Sequence, residues 1–451
     1  MKNLDENVYI VNGGRLLEGE VKVAGGKNSS LKLLIASLLF DSDVVLKNIP
    51  QIRDVFEVLH IIDKLGGSFE WIDDNTLKIN SSSLSSNTVD LLHGSKVRVS
   101  FMFLAPLLYR FGECYVPNPG GCRIGARPID RIINGVKALG VHVEYNSETG
   151  YYYLKKTGPI AGRFRFNKPS HTGTETLIML SAFSDDKVVI ENSALEPEVD
   201  ELIAALQQAG VDIKRSENNP STIETNPANK SKGLKLNSDI FIKGDHNEAV
   251  SYAVLGLITG KRIRVAGAEI SDYQVFLDNI AKAKAEFKII DSQTAEFYKS
   301  EKLQPVDIQT APYPGFKTDW QAMWSVLMTQ ANGQSKLSEY VFEDRFGYVA
   351  ELRKLGAKIE FVKTPESEYD KFQFNLDPNK KDYYQTILIN GPVKLHNGVV
   401  KVNDLRAGAC LVIASLAAEG QSIIDGADIV ERGYHNFDAQ LRELGADIIK
   451  K

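Results

Sequence analysis

Cysteine is scarce in this chain: three thiols, Cys114, Cys122 and Cys410, stand among 451 residues. So few, and odd in number, they exclude a disulfide framework as the organising device of the fold. Long apolar runs are also missing, and none approaches the roughly 20 residues that a membrane-spanning helix needs. There is no excess of positive charge either; the formal net charge is −5, which gives no electrostatic reason to expect a nucleic-acid partner. Neither a Walker loop nor a G-x-G-x-x-G fingerprint occurs, so the usual glycine-loop cradles for ATP and dinucleotides are not expected. The seven histidines show no metal-ligand spacing, and Cys114 and Cys122 lack partner ligands; no metal and no cofactor is expected. The start, Met1-Lys2-Asn3-Leu4-Asp5-Glu6-Asn7, lacks the apolar core of a secretory signal, which makes a cytoplasmic protein the expectation. What is present is ordinary globular composition, 43% hydrophobic and 25% charged, in a chain long enough for two or three domains.

A repeat runs through it. Helical periodicity stops at a glycine and turns into strand alternation at Gly66, Gly140, Gly210, Gly356 and Gly445. Glycine suits the left-handed residue that ends a helix, and apolar residues two apart mark a half-buried strand. Successive glycines are 74, 70, 146 and 89 residues apart. The long interval is about two periods, so a sixth copy without its glycine is expected at Phe276 to Ile290. The excess in the last interval is assigned to a polar, looped insertion around Lys363 to Tyr384. Each copy also holds a second helix, apolar nearly all round, as a helix inside a core would be. These helices are expected at Leu31–Phe40, Val99–Tyr109, Thr174–Phe183, Glu248–Ile258, Trp320–Thr329 and Ala407–Ala418. Six copies of roughly 70 residues exceed one core, so two lobes of three repeats are expected.

Cations gather at the amino ends of those buried helices: Lys27, Arg98, Lys168, Lys317 and Arg406, with small capping residues beside them. A helix start ordinarily attracts acids. Taken singly, each cation is more often a solvated surface charge. Taken as a set, they fit an anionic ligand that also uses the unpaired N–H groups of the helix ends. Loops before the outer helices add Arg53, Arg127, Arg345 and Arg432. A cleft lined by Lys27, Arg98, Arg127, Arg345, Arg406 and Arg432 is expected to hold a ligand with several negative charges. Asp319 is the exception among these cations. It reads either as a base for a substrate hydroxyl or as a helix cap beside Thr318. Cys122, on the loop Pro119-Gly120-Gly121-Cys122-Arg123-Ile124-Gly125-Ala126-Arg127, reads either as a thiolate favoured by nearby cations or as an incidental loop cysteine. Cys410, inside Gly408-Ala409-Cys410-Leu411-Val412, reads as structural.

These residues resemble the UDP-N-acetylglucosamine enolpyruvyl transferases essentially end to end. The likeness is carried by Gly26-Lys27-Asn28, Arg98, Pro119 to Asp130, Asn192 to Glu198, Pro314 to Asp319, Phe342 to Phe346, Asp404 to Ala407 and Arg432-Gly433-Tyr434. The resemblance implies an α/β fold with two lobes of inverse α/β barrel type, built from six βαβαββ-type repeats, three per lobe. One lobe spans residues 25–243, with Lys27, Arg98 and the Cys122 loop. The other takes residues 1–24 plus 244–451, with Asp319 and the C-terminal arginines. The implied reaction moves the enolpyruvyl group of phosphoenolpyruvate to the 3′-hydroxyl of UDP-N-acetylglucosamine and releases phosphate, the committed step towards peptidoglycan. It implies a cytoplasmic enzyme, a monomer or weak oligomer, with these two substrates as partners and neither nucleic acid nor membrane insertion.

By position, Cys122 corresponds to the family's proton-donating loop cysteine and Asp319 to the residue handling the hydroxyl proton. Lys27 and Arg406 complete the implied catalytic set. Lys27, Asn28, Arg127, Arg345, Arg406 and Arg432 are implied to bind phosphoenolpyruvate. Asn28, Arg98, Arg127, Pro128, Ile129, Asp130, Arg131, Lys168, Ser170, His171, Asp319 and Val341 are implied to bind the UDP-sugar. The chain departs from the family at His171-Thr172-Gly173, at His246 and at Lys317. These departures motivate an alternative, a divergent enolpyruvyl transferase with another nucleotide or nucleotide-sugar acceptor.

Overall fold

Helices without a polar face must be enclosed, and six of them organise this chain around two apolar cores. The computed structural model describes residues 7–121, 124–227 and 233–451. The enclosed helices are Lys27–Ala36, Leu104–Phe111, His171–Ser181, His246–Thr259, Gln321–Met328 and Leu405–Ala417. Every residue of His246–Thr259 is buried. Leu104–Phe111 begins more than a turn after its expected start at Val99, and Gln321–Met328 one residue after Trp320, because the chain enters them through 3-10 turns, Arg98–Phe103 and Thr318–Trp320. No helix among the described residues is long and apolar enough to cross a membrane.

The chain divides into two compact units. One comprises Met1–Ala24, Cys122–Arg127 and Gly244–Lys451; the other comprises Gly25–Gly121 and Pro128–Lys243. Within that division, the part of the loop at residues 124–127 groups with the unit that holds Asp319. The reason lies in its contacts. The Asp344 N–H donates to the Ile124 carbonyl at 3.3 Å, and the Arg127 guanidinium lies 5.3 Å from the centre of the Phe342 ring.

Three sheets belong to each unit, and all six obey one pairing rule. An incoming strand lies parallel to the strand that follows the buried helix, and that strand then joins an antiparallel pair of strands. In the first repeat Ile240–Phe241 runs parallel to Val44–Lys47, which pairs antiparallel with Thr76–Asn80, itself paired with Ser68–Asp73. The same order recurs with Leu17–Lys22, Gly260–Ala266, Thr294–Tyr298 and Glu286–Asp291. In the sheet built on Glu113–Pro117, the incoming strand shrinks to a single parallel bridge, Thr88 to Tyr115. The sixfold α/β repeat is therefore a property of strand pairing as well as of sequence period.

The five glycine junctions take positive φ, from 88° at Gly210 to 94° at Gly66 and Gly140, as a helix ending in a left-handed residue requires. In the copy without a glycine, Lys284 occupies the equivalent place at φ 55°, between the helix Gln274–Lys282 and the strand Glu286–Asp291. Its exposed side chain tolerates the conformation, at a cost of about 1 kcal/mol. The insertion at Lys363 to Tyr384 is more ordered than its polarity suggested. It holds a 3-10 turn, Glu366–Lys371, and Phe372, Phe374 and Tyr383 close with Tyr340 into a small core of their own. Aromatic residues spaced among charges conceal such a core from a hydropathy pattern.

Candidate active site

In the unit containing Asp319, that carboxylate lies in the turn Thr318–Trp320, which has no side-chain cap. The Thr318 hydroxyl donates to Glu339 at 2.8 Å, and Asp319 Oδ1 accepts from Arg345 Nη2 at 2.6 Å. The capping role proposed as one reading of Asp319 is thus replaced by an ion pair. Burial alone would raise the pKa of this carboxyl. Arg345, Arg406 and Lys317 outweigh it and hold Asp319 far below the usual carboxylate range.

The chain brings these cations together by separate local devices. Arg406 stands at the start of Leu405–Ala417, whose positive end is met by the Asp404 carboxylate accepting from the Arg406 and Ala407 N–H groups at 2.9 and 3.1 Å. That cap offsets the cost of a cation at a helix start. The Arg406 guanidinium lies 5.1 Å from the centre of the Tyr434 ring, and its Nη2 is 3.8 Å from Asp245. Its Nη1 is buried without a hydrogen-bond partner among the described residues. Buried donors are normally satisfied, so this nitrogen calls for an acceptor that a ligand would bring. Arg345 and Arg127 both face Phe342, with guanidinium-to-ring distances of 5.6 and 5.3 Å. Arg127 holds a positive φ of 46°, an uncommon conformation for a residue with a long side chain. Glu339 fixes the adjacent turn by accepting from the N–H groups of Val341 and Phe342 at 2.7 and 3.0 Å. Arg432 is half-buried just beyond the short helix Ala427–Val430.

Two of the residues at which the chain departs from the family prove to be partners. Lys317 Nζ lies 2.6 Å from His246 Nε2, both residues being buried. An ammonium has only donors, so this imidazole nitrogen must be unprotonated and accepting. Glu248, one helical turn below Asp245, accepts from the Ala24 N–H at 3.0 Å. Burial, aided by Asp245, pushes its pKa up to about 8.

The second unit carries its own polar cluster. Lys27 opens the helix Lys27–Ala36, and its Nζ is 2.7 Å from Asp54 Oδ2, with both side chains buried. The Asn28 amide reaches Glu198 at 3.5 Å. Arg98 opens its 3-10 turn half-buried; Pro128 and Asp130 are exposed, and Ile129 is buried. Arg131 donates to the Pro169 carbonyl at 3.3 Å, and burial followed by Arg131 lowers the pKa of Lys168. Ser170 caps His171–Ser181 through the Gly173 N–H at 3.2 Å. His171 and Lys32 each stand 3.1 Å from Glu175 Oε1. Burial opposes the charged imidazole, yet Glu175 outweighs it and raises the His171 pKa. Sequence reading missed Lys32 and Glu175; the spacing of Glu175, one turn after His171, was the available signal. Cys122, the expected proton donor, lies outside the described residues. Cys410 is fully buried, with its thiol pKa pushed well up by burial, as a structural cysteine should be.

With this geometry in hand, comparison with known proteins is informative. The family model described as EPSP synthase (3-phosphoshikimate 1-carboxyvinyltransferase) matches residues 11–441. A UDP-N-acetylglucosamine 1-carboxyvinyltransferase of Campylobacter hominis is 34% identical over 447 residues, covering 97% of this chain and 98% of that protein. UDP-N-acetylglucosamine 1-carboxyvinyltransferase 1 of Clostridium acetobutylicum is 34% identical over 444 residues, covering 98% and 99%. Among solved structures, the enolpyruvyl transferase NikO from Streptomyces tendae superposes with a TM-score of 0.85 at 20% identity, covering 99% of both chains. An EPSP synthase from Acinetobacter baumannii gives 0.71 at 15% identity, covering 98% of this chain and 100% of the other; these two likenesses establish the two-lobed fold. The chain belongs to the enolpyruvyl (1-carboxyvinyl) transferase family, alongside the UDP-N-acetylglucosamine 1-carboxyvinyltransferases.

Proposed function

We propose that this chain transfers the enolpyruvyl group of phosphoenolpyruvate to the 3′-hydroxyl of UDP-N-acetylglucosamine, releasing phosphate as a step of peptidoglycan synthesis in the cytoplasm. The observation that carries the site assignment is the trio Lys317, Arg345 and Arg406, buried around an ionised Asp319, with one guanidinium nitrogen of Arg406 still lacking an acceptor. The family model is named for a 3-phosphoshikimate acceptor. Full-length relatives at 34% identity carry the UDP-N-acetylglucosamine name, and that acceptor is adopted here.

The reaction is an addition followed by an elimination. The acceptor oxygen bonds to C2 of phosphoenolpyruvate while C3 takes a proton; C3 then loses a proton as the C2–O bond to phosphate breaks. Asp319 accepts the hydroxyl proton. In the free protein the cations make it a weak base. A bound phosphate would draw on Arg345 and Arg406, reduce the positive field and raise the basicity of Asp319 when the acceptor is present. Lys27, Asn28, Arg127, Arg345, Arg406 and Arg432 hold the phosphate and carboxylate, with charge stabilisation greatest as phosphate departs. Cys122 supplies the C3 proton. Arg98, Arg127, Pro128, Ile129, Asp130, Arg131, Lys168, Ser170, His171 and Val341 hold the nucleotide-sugar with Asn28 and Asp319.

A phosphate-release assay with phosphoenolpyruvate separates the acceptors. Release is expected with UDP-N-acetylglucosamine and not with 3-phosphoshikimate. Release only with a different uridine nucleotide would favour a divergent acceptor, and no release with any acceptor would overturn the proposal.

A further inference from the structure

One cluster of ligand-type side chains has no part in enolpyruvyl transfer. Glu57 and His60 stand three residues apart on the helix Arg53–Lys64, so they share a face. The short helix Leu91–Gly94 brings His93 to the same place. His93 Nδ1 lies 2.7 Å from Glu57 Oε2, and the two imidazole rings are centred 4.9 Å apart at 38°. One donor atom from each residue lies within 4.8 Å of the others. We propose that Glu57, His60 and His93 form a zinc-binding site that pins the helix Leu91–Gly94 to the helix Arg53–Lys64.

The chemistry favours zinc. Two imidazoles and a carboxylate match its preference for nitrogen and oxygen donors, with a water completing a tetrahedron. Bonds of roughly 2.0–2.2 Å place tetrahedral ligand atoms about 3.3 Å apart, so binding would draw together donor atoms that lie within 4.8 Å of one another. His60 is exposed and makes no hydrogen bond or ion pair among the described residues; its ring is available. Glu57 is buried, with His93 and Lys96 as its ionic partners. Lys96 Nζ sits 3.0 and 3.2 Å from the two Glu57 oxygens, on a side chain that reaches solvent. The ammonium occupies the place of a cation and can leave it; zinc would take over the neutralisation of Glu57. Sequence spacing concealed this set because His93 is 33 residues beyond His60 and joins it only through folding.

The test uses the full chain, stripped with a chelator and titrated with zinc chloride in competition with a chromophoric chelator. One zinc per chain is expected, and His60→Ala and His93→Ala should each weaken binding at least about tenfold. Cobalt(II) should give the visible bands of a tetrahedral site in the wild type and lose them in both variants. His60→Ala should keep its phosphate-release activity, which reports an intact fold. Absence of stoichiometric zinc, or zinc held equally well by both variants, would overturn the proposal.

Discussion

Replacing Glu248 by glutamine should remove a specific pH dependence from the stability of this protein. Glu248 is 1% exposed, and its pKa rises from 4.5 to about 8 through burial and the neighbouring Asp245. In the unfolded chain the same carboxyl releases its proton near 4.5. Between these values the folded state holds one more proton than the unfolded state, so stability falls as pH rises. The contribution is fully present below pH 4.5 and exhausted above about 8, a total on the order of 4–5 kcal/mol at 1.36 kcal/mol per pH unit. Between pH 6 and pH 8 the loss is about 2 kcal/mol. Glutamine stays neutral throughout, and its carbonyl can still accept from the Ala24 N–H. Urea denaturation of both proteins at pH 6 and pH 8 isolates the effect, because the other titrating groups are common to both. The wild type should lose about 2 kcal/mol relative to Glu248→Gln over that interval. Parallel pH dependences would refute the reasoning and mean that Glu248 is ionised in the folded protein.

Asp319→Asn keeps the shape of the site and removes the base; turnover should fall about 10²–10⁴-fold, while calorimetry should find UDP-sugar binding retained. Arg406→Ala removes the donor that awaits an acceptor, and steady-state kinetics should give a kcat lower by about 10²–10³-fold. Arg406→Lys should not restore it, since an ammonium cannot reproduce the guanidinium fork. Lys284→Gly relieves a left-handed lysine on an exposed helix end and should raise stability by up to about 1 kcal/mol in chemical denaturation; a decrease would show that the conformation carries no strain.

Much of the architecture could be read directly from residue patterns. Five glycines at helix ends and six helices without polar faces announce the repeat, because backbone handedness and burial act on local sequence. The copy hidden behind Lys284 was recoverable only from the interval, since a lysine gives no signal of positive φ. The site was legible as a set of cations at helix starts, and Asp319, Arg345 and Arg406 do come together. Their mutual arrangement was not legible. Whether Asp319 caps a helix or pairs with Arg345 depends on Glu339, twenty residues on, occupying the hydroxyl of Thr318. The partnerships of Lys317 with His246 and of Lys32 with Glu175 and His171 join segments 71 or more residues apart, beyond any spacing rule. The aromatic core of the Lys363 to Tyr384 insertion was missed for a simpler reason: its rings are scattered among charges.

The most direct measurement of the account is the identity of the product. Proton and phosphorus NMR of phosphoenolpyruvate and UDP-N-acetylglucosamine incubated with the protein should show inorganic phosphate together with vinyl protons on an ether at the 3′ position of the sugar. Phosphate accompanied by pyruvate, with the nucleotide-sugar unchanged, would contradict it.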